Sequence, residues 1–577
     1  MNPNDYFKTP NTIAQKQYEA LRMYFVEDKT ALEVAHAFGY THRGFTTIVT
    51  EFTKQLKVKG PKGLFFKELS RGRKKIEDSI EDMIIELRKS YYSVEDIKVA
   101  LDSKGISVAE KTIYNVIKTH GFARLPRRQK LVKKSLEPTN IKANKAASLD
   151  FTPEHFSSSS VGLLCLLPYI KDYGISDVIQ ASDFPQTSQI SRLSSILAFV
   201  ALKASNVRRY SADDLWCMDR GLGLFAGLNV LPKAAWFSSY SHNVTPAMNL
   251  KFLRALHNKW LSLGILGDTV NMDFTTIPYW GESDHLENNW SGKRTKALAS
   301  MLAVLAQDAD SGIIDYGNTN VLHKNESAVV LEFLDFYRED NSQNDLKYLV
   351  FDSKFTNYKN LGQLDNDGIK FITIRRRGKN IVERLNNLPK SQWKTIRVER
   401  ASNKSMTISV LDEKVFLKGY DKEIRMVSIT GHGKIKPATI ITNDFDITTE
   451  QIVRKYARRW LVEKTVSEQI EFFHLNHVSS SMVIKVDFDL VMSILTYNLF
   501  RLFALDTDRY QKITSQTVYE KFLDNAGHIV IEQNNITIKL KKKRTLPLIL
   551  ETMTRFEQTK YDWLDSKTLT FSGATNS

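Results

Sequence analysis

Three acidic residues, far apart in the chain, stand in contexts from which their carboxylates could converge. Asp273 lies in the alternating segment 269–277, Asp352 ends the apolar run 346–352, and Glu463 lies in the helical stretch 456–463. Two Mg²⁺ ions can clamp an in-line phosphoryl displacement, and they prefer hard carboxylate oxygens supplied by different elements. Two acids on strands and one on a helix would supply such a site. The trio therefore predicts metal-dependent phosphoryl-transfer chemistry.

Taken singly, the three acids differ in how strongly their sequence context indicates a catalytic role. An acid on the polar face of a strand, such as Asp273, is most often simply solvated. Asp352 follows a buried-strand pattern at its carboxyl end, where active sites of α/β sheets tend to lie. At 100° per residue, Tyr456, Arg459 and Glu463 fall within about 60° of one another on a helix face. Such an Arg could hold a phosphate in bidentate fashion, and the alternative is a surface ion pair worth a few tenths of a kcal/mol.

The charge of the whole chain favours a polyanionic partner. The 577 residues carry a formal net charge of +16 and a pI near 9.4. Nucleic acid is the usual partner of such a surplus, and an anionic membrane is the rival. The sequence has no lipidation motif, no basic amphipathic helix, no secretory signal and no uninterrupted apolar stretch long enough to span a bilayer. We therefore expect a cytoplasmic protein without a membrane partner, whose two cysteines, Cys165 and Cys217, are buried free thiols.

The periodicity of the chain predicts a multi-domain α/β protein. Its length suggests roughly three to four domains. The predicted regions are N-terminal helix-turn-helix modules (12–135), a helical domain with almost no strand signal (145–262), an α/β core (263–380 and 446–510), a β-rich insertion (381–445), and C-terminal helices (511–577).

The N-terminal region predicts two helix-turn-helix units. In the first, helical patterns at 31–38 and 45–52 flank Gly39, which can turn the chain. The second combines 93–101, opened by an N-cap Ser, with 108–117. An ordinary helical hairpin is the alternative. The basic run 124–134 follows, and we prefer a phosphate-contacting arm to a solvated linker for its cations, among them Arg124, Arg127, Arg128 and Lys130.

Together these motifs resemble the DDE transposases of bacterial insertion sequences over roughly residues 190–505. The resemblance is carried by Asp273 before Phe274-Thr275-Thr276, by Asp352 before Phe355 and Tyr358, by Tyr456-Arg459-Glu463, and by the runs 371–375 and 495–499. It implies an RNase H-like catalytic core with a β-strand-rich insertion between the second Asp and the Glu. It also implies two Mg²⁺ or Mn²⁺ ions, with Asp273 bridging both and Asp352 and Glu463 holding one each.

The same resemblance implies a function and partners. A member of this family would cleave double-stranded DNA at the terminal inverted repeats of its element and join the freed 3′-hydroxyl to target DNA. Tyr456 and Arg459 would position the DNA backbone. Two ends suggest a homodimer, and bacterial origin suggests a nucleoid-associated protein in the cytoplasm. The other hypothesis is a sequence-specific DNA-binding repressor whose transposase-like core is inactive.

The sequence departs from the family pattern at one position. Seven residues after Glu463 the family has Lys or Arg, and this chain has Ile470. Lys464 or His474 could take over the missing phosphate contact. In the insertion, Trp393 could stack on an unpaired base, although core packing is the commoner use of a Trp.

Overall fold

The structure is a computed structural model, and it describes residues 10–59, 77–89, 92–103, 105–122, 149–187, 189–208, 213–278, 286–291, 296–339, 346–376, 378–399, 405–433, 437–475 and 483–574. The chain forms two compact units, Met1–Met83 and Ile84–Ser577. The region 12–135, predicted as one DNA-binding region, is thus divided between them. The basic run with Arg124, Arg127, Arg128 and Lys130 lies outside the described residues.

The first unit contains the helices α1 (Ile13–Phe25), α2 (Ala31–Ala37) and α3 (His42–Lys59). Of these, α2 and α3 lie at the positions that the sequence predicts. Thr30 caps α2 in a reciprocal capping box with Glu33, and Gly39 turns the chain after it at φ +66°. Ala35 and Phe45 are buried together in a small core. That these helices bind DNA remains a prediction.

Three short helices follow. They are α4 (Asp78–Lys89), which spans the division between the units, α5 (Val94–Asp102) and α6 (Glu110–Thr119). Ser93 is the N-cap of α5 as predicted, and Asp96 completes its capping box. Ile113 and Ile117 bury the apolar face of α6.

The predicted helical region is helical but also contains a strand. Its helices are α7 (Leu167–Asp172), preceded by a 3₁₀ turn, α8 (Ile175–Ala181), α9 (Arg192–Ala204), α10 (Arg220–Phe225), α11 (Ala234–Ser241) and α12 (Pro246–Ser262). Strand β1 (Glu154–Ser158) was not predicted, because its five residues alternate weakly and only Ser158 is buried. Cys165 and Cys217 are buried free thiols, as predicted.

A ten-stranded sheet is the centre of the second unit. Its strands are β2 (Thr269–Pro278), β3 (Asn288–Ser291), β4 (Lys296–Asp308), β5 (Ile314–Val321), β6 (Tyr348–Phe351), β7 (Lys370–Ile374), β8 (Lys394–Glu399), β9 (Ser405–Leu417), β10 (Tyr420–Thr430) and β11 (Ala438–Thr442). The order is β3-β4-β2-β6-β7-β11-β10-β9-β8, with β5 on β4. Strands β2, β6 and β7 are parallel neighbours, and the remaining pairs are antiparallel. The fold is therefore mixed α/β.

The strands predicted as an insertion continue this sheet. Antiparallel pairing of β11 with β7 joins them to the core strands. Helix α15 (Lys379–Asn387) leads into them, and helix α16 (Thr449–Arg458) covers their buried side chains with Ile452 and Val453. Shared backbone pairing and a shared apolar layer make the insertion part of the same rigid sheet.

Helices cover the rest of the sheet. They are α13 (Val329–Arg338), α14 (Tyr358–Asn366), α17 (Trp460–Glu471) and α18 (Val483–Asp506). Helix α17 packs on β2 and β4, and α18 packs on β5 and on α9. The stretch Lys485–Asp506 of α18 is long and apolar enough to cross a membrane by composition, but 83% of it is buried inside the protein. It is the central core helix of this unit.

The prediction of helices to the C-terminus is wrong. After the short helix α19 (Ser515–Val518) come β12 (Gly527–Ile531), β13 (Asn535–Leu540), α20 (Leu546–Thr554), β14 (Lys560–Tyr561) and β15 (Lys567–Gly573). With β1 they form a second sheet in the order β1-β12-β13-β15-β14. Burial alternates along β13, where Ile536, Ile538 and Leu540 face the core, and this period of two selects strand over helix.

Candidate active site

Strand register places the two aspartates side by side. Parallel strands β2 and β6 pair Met272 with Phe351, so the next residues, Asp273 and Asp352, occupy adjacent positions. Asp352 follows the last residue of β6 and caps a short 3₁₀ turn, where its Oδ1 accepts from the backbone N–H of Ser353 at 2.7 Å. The predicted strand positions of both acids are those that the structure has.

Arg459 connects the third acid to the first. It lies at the junction of α16 and α17. Its Nη1 donates to Oδ2 of Asp273 at 2.7 Å, and its Nη2 donates to Oε1 of Glu463 at 2.6 Å. The Arg459 and Asp273 side chains are only 11% and 15% exposed, whereas that of Glu463 is 44% exposed. One guanidinium thus stands between two of the three predicted acids.

The surroundings shift the pKa of each buried member. Burial raises the pKa of Asp273 to about 6, against the opposing effect of Arg459, and the charges of Glu463 and Asp352 raise it further. Burial alone would lower the pKa of Arg459, but Asp273, Tyr456 and Glu463 raise it above its usual value. Burial also raises the pKa of Tyr456 to about 12. The three carboxylates of the site thus carry more negative charge than the single guanidinium of Arg459 can neutralise.

One cavity of about 850 Å³, which we call the acid pocket, is lined by Asp352, Glu463, Arg459 and Tyr456. Its lining also includes Arg375, Arg376 and His432. Within the part of the chain that the structure describes, neither Arg375 nor Arg376 forms an ion pair; Arg376 donates to the carbonyl of Ser353 at 3.3 Å. The pocket thus has an acidic side and a cationic side.

Those two arginines and His432 were not predicted as site residues. The signal for Arg375 and Arg376 was present, since they follow β7 just as Asp352 follows β6, and parallel neighbours end at the same edge. For His432 no such signal exists. It lies between β10 and β11, and only the pairing of β11 with β7 carries that loop to the pocket.

The carboxylate oxygens of the three acids suit a hard divalent cation, although they do not converge on one point in this structure. Among the described residues, no three His, Cys, Asp or Glu side chains converge closely enough to hold a metal ion. Asp273 and Glu463 nevertheless face a common point that a cationic guanidinium fills. Carboxylate oxygens around a cation position are what Mg²⁺ and Mn²⁺ bind. The chemistry of these donors fits such an ion, which would need Arg459 to leave its place between the carboxylates.

The aromatic residues next to the two aspartates stack on each other. The rings of Phe274 and Phe355 are parallel within 7°, with centroids 3.9 Å apart. Phe274 directly follows Asp273, and Phe355 closes the turn that Asp352 begins. Because both side chains are fixed by this contact, the backbone of one acid is held relative to the other.

Other predicted residues lie elsewhere. Ile470 is half-buried in α17. Neither proposed substitute for its missing cation reaches the acid pocket, because Lys464 lines a different cavity and His474 bonds Asn206 in a buried position. Trp393 is half-buried before β8 and does not line the acid pocket. Among the residues that the structure describes, the arginines that line this pocket are Arg375, Arg376 and Arg459.

Part of the chain is similar to a known protein family. Residues 267–499 match the family model described as the transposase DDE domain. No curated protein matches the chain. A solved structure, the cryo-EM structure of the piggyBac transposase synaptic complex with hairpin DNA, matches at 13% identity and a TM-score of 0.33, covering 71% of this chain and 86% of that one. The segment from residue 267 to residue 499 is therefore similar to a transposase DDE domain.

Proposed function

We propose that this protein is the transposase of a bacterial insertion sequence, cleaving DNA at terminal inverted repeats and joining the freed ends to target DNA. The observation that carries the proposal is the acid pocket, where Asp352 and Glu463 face Arg375 and Arg376 beside Asp273. Acids that could hold metal ions and cations that could hold phosphate share one cavity of the segment that is similar to a transposase DDE domain.

The proposed metal ligands are Asp273, Asp352 and Glu463. Bound Mg²⁺ or Mn²⁺, two ions in the full site, would supply a nucleophilic oxygen and neutralise charge on the attacked phosphate. Arg459 would turn from the carboxylates to a phosphate of the DNA end, with Tyr456 packed beside it at 5.5 Å from the guanidinium to the ring centroid. Arg375 and Arg376 would hold the backbone on the opposite side of the pocket.

The proposed partners are double-stranded DNA and a second copy of the chain. The N-terminal helices and the basic run 124–134 would bind the terminal repeats, and the net charge of +16 suits a polyanion. Because transposition joins two ends, we propose a homodimer in the active complex, bound to the nucleoid in the cytoplasm. An RNase H-like core is supported by a mixed sheet whose adjacent parallel strands β2 and β6 bear the aspartates.

The test is cleavage of DNA taken from both flanks of the gene. Purified protein with Mg²⁺ should nick this DNA at discrete positions at the element ends, and EDTA should abolish the nicks. Inverted repeats at those positions would identify the substrate. Tight, specific binding to the same fragments without any metal-dependent cleavage would instead support the repressor hypothesis.

A further inference from the structure

A second cavity lies on the other side of the helix junction at Arg459. It has a volume of about 720 Å³ and shares Ala457 and Trp460 with the acid pocket. We call it the cationic cleft and define it by Arg454, Arg458, Lys464 and Lys512 with Asn271. Asn271 lies two residues before Asp273 on β2, and so on the same face of that strand. Trp460 therefore lies in the wall that the two cavities share.

Most of the positive charge of the cleft lies outside ion pairs. Arg454, Lys464 and Lys512 are exposed, and none of the three forms an ion pair among the residues that the structure describes. Lys464 acts on Glu468 through its charge alone. Of the four cations that define the cleft, Arg458 is paired, with the exposed Asp310 at 3.3 Å.

The remaining acids of the cleft already have donors. Asp308 accepts from Gly267 and Ser311, and Glu468 accepts from the backbone and hydroxyl of Ser515. The free cations are therefore available to an external anion.

Asn271 points to the kind of anion. Its side chain is 1% exposed, it lines the cleft, and its Oδ1 has no hydrogen-bond partner. A buried acceptor without a donor is costly, so a ligand that brings an N–H or O–H group would be favoured. The phosphodiester backbone of a duplex offers charge but no hydrogen-bond donor. An unpaired nucleotide offers a phosphodiester together with the N–H groups of its base.

We propose that the cationic cleft binds an unpaired segment of the DNA strand that continues from the acid pocket across Trp460. This inference rests on the proposed function. The indole of Trp460 is 53% exposed at the shared wall, where a crossing base can stack on it. A cationic groove beside an exposed aromatic ring is the usual means of holding single-stranded DNA.

Binding in EDTA tests the proposal without cleavage. The full-length protein is titrated with an end-containing duplex that bears a single-stranded extension of about ten nucleotides, within the range that single-strand sites cover, and with its blunt counterpart. The variant R454A/K464A/K512A should bind the extended DNA at least tenfold more weakly and the blunt DNA within twofold of wild type. The slope of log affinity against log salt should fall by about 2, since each single-strand phosphate contact contributes about 0.7.

The matched control removes three other exposed lysines. K390A/K418A/K560A loses the same charge at positions that line neither cavity, and it should bind both DNAs like wild type. Asn271→Leu, checked for folding by its thermal melt, should weaken extended DNA binding without changing the salt slope.

Wild-type affinity for the extended DNA in the cleft variant, or an equal loss for both DNAs, would overturn the inference. Absence of Mg²⁺-dependent cleavage by the wild-type protein would instead overturn the proposed function, and it is measured separately.

Discussion

Arg459 donates a hydrogen bond to Asp273 at 2.7 Å although 186 positions separate the two in sequence. The same guanidinium also bonds Glu463, one helical turn further along. Two acids that would have to share metal ions are thus held in place by a cation that belongs to the protein. Arg459 limits their repulsion in the absence of metal, and its withdrawal would free both carboxylates at once.

Arg459→Ala should strengthen Mn²⁺ binding and weaken binding to the DNA end. Removing the guanidinium removes a competitor for both carboxylates and a proposed phosphate contact. Charge-assisted hydrogen bonds contribute about 1.5 kcal/mol or more, so each effect should be about tenfold. Calorimetric titration with Mn²⁺ and DNA binding in EDTA measure the two effects. Arg384→Ala, which loses an ion pair with Glu413 and lines neither cavity, is the control, and weaker Mn²⁺ binding by Arg459→Ala would contradict this account.

Asp273→Asn should change how stability depends on pH in the metal-free protein. The folded-state pKa of Asp273, about 6, lies above the usual value of this carboxyl, 3.8, so its contribution is complete below pH 4 and is lost as pH rises through 6. Asn does not titrate. The free energy of unfolding of the variant, relative to wild type, should therefore rise between pH 4 and pH 7, by at most about 3 kcal/mol. Urea unfolding in EDTA measures this difference, and a constant or falling difference would refute the assignment.

Phe355→Leu tests whether the aromatic stack positions the aspartates. Leu keeps an apolar side chain but loses the parallel contact with Phe274, which should cost about 1 kcal/mol of stability. Metal-dependent cleavage should slow while DNA affinity stays unchanged, because Asp352 is then less well fixed. Phe503→Leu removes a buried aromatic contact with Tyr169 far along the chain and should lose stability without slowing cleavage. Equal slowing in both variants would show that only general stability matters.

Removing residues 1–76 should abolish specific binding to the element ends. The cut removes α1, α2 and α3 and leaves α4, which spans the division at Met83, in one piece. The remaining protein should still bind DNA weakly, with a steep salt dependence from its surplus cations. Footprinting of full-length and truncated proteins on the same fragments is the measurement. An identical footprint from the truncated protein would place specificity outside the first unit.

The positions of the three acids could be predicted because local patterns encode them. Alternation placed Asp273 on a strand, an apolar run placed Asp352 at a strand end, and helical spacing placed Glu463 one turn after Arg459. The Arg459–Asp273 contact could not be predicted, since local periodicity cannot show which distant cation faces a buried acid. The helical pattern predicts that Arg459 contacts a phosphate of DNA. In the structure, Arg459 is bound to the carboxylates of Asp273 and Glu463.

Features that depend on strand pairing were missed for a related reason. The predicted insertion strands give no sign that β11 pairs with β7, and this pairing is what brings His432 to the acid pocket. The sequence predicts helices where the structure has C-terminal strands. Their sheet depends on the pairing of β12 with β1, which lies more than 360 positions away, as Glu154 and Ile531 show. A role for Asn271 could not be predicted either, since an unpartnered buried acceptor is visible only in three dimensions.

Glu463→Gln tests the central claim most directly, because it removes one negative charge while keeping side-chain volume. As a half-exposed partner of Arg459 in an i,i+4 pair, Glu463 should contribute at most about 0.5 kcal/mol to stability. The measurement is Mg²⁺-dependent cleavage of an end-containing duplex by wild-type and variant proteins with matched thermal melts. We predict that cleavage falls by orders of magnitude while end binding in EDTA is unchanged. Cleavage by the folded variant at the wild-type rate would contradict the assignment of Glu463 as a metal ligand and the proposed site with it.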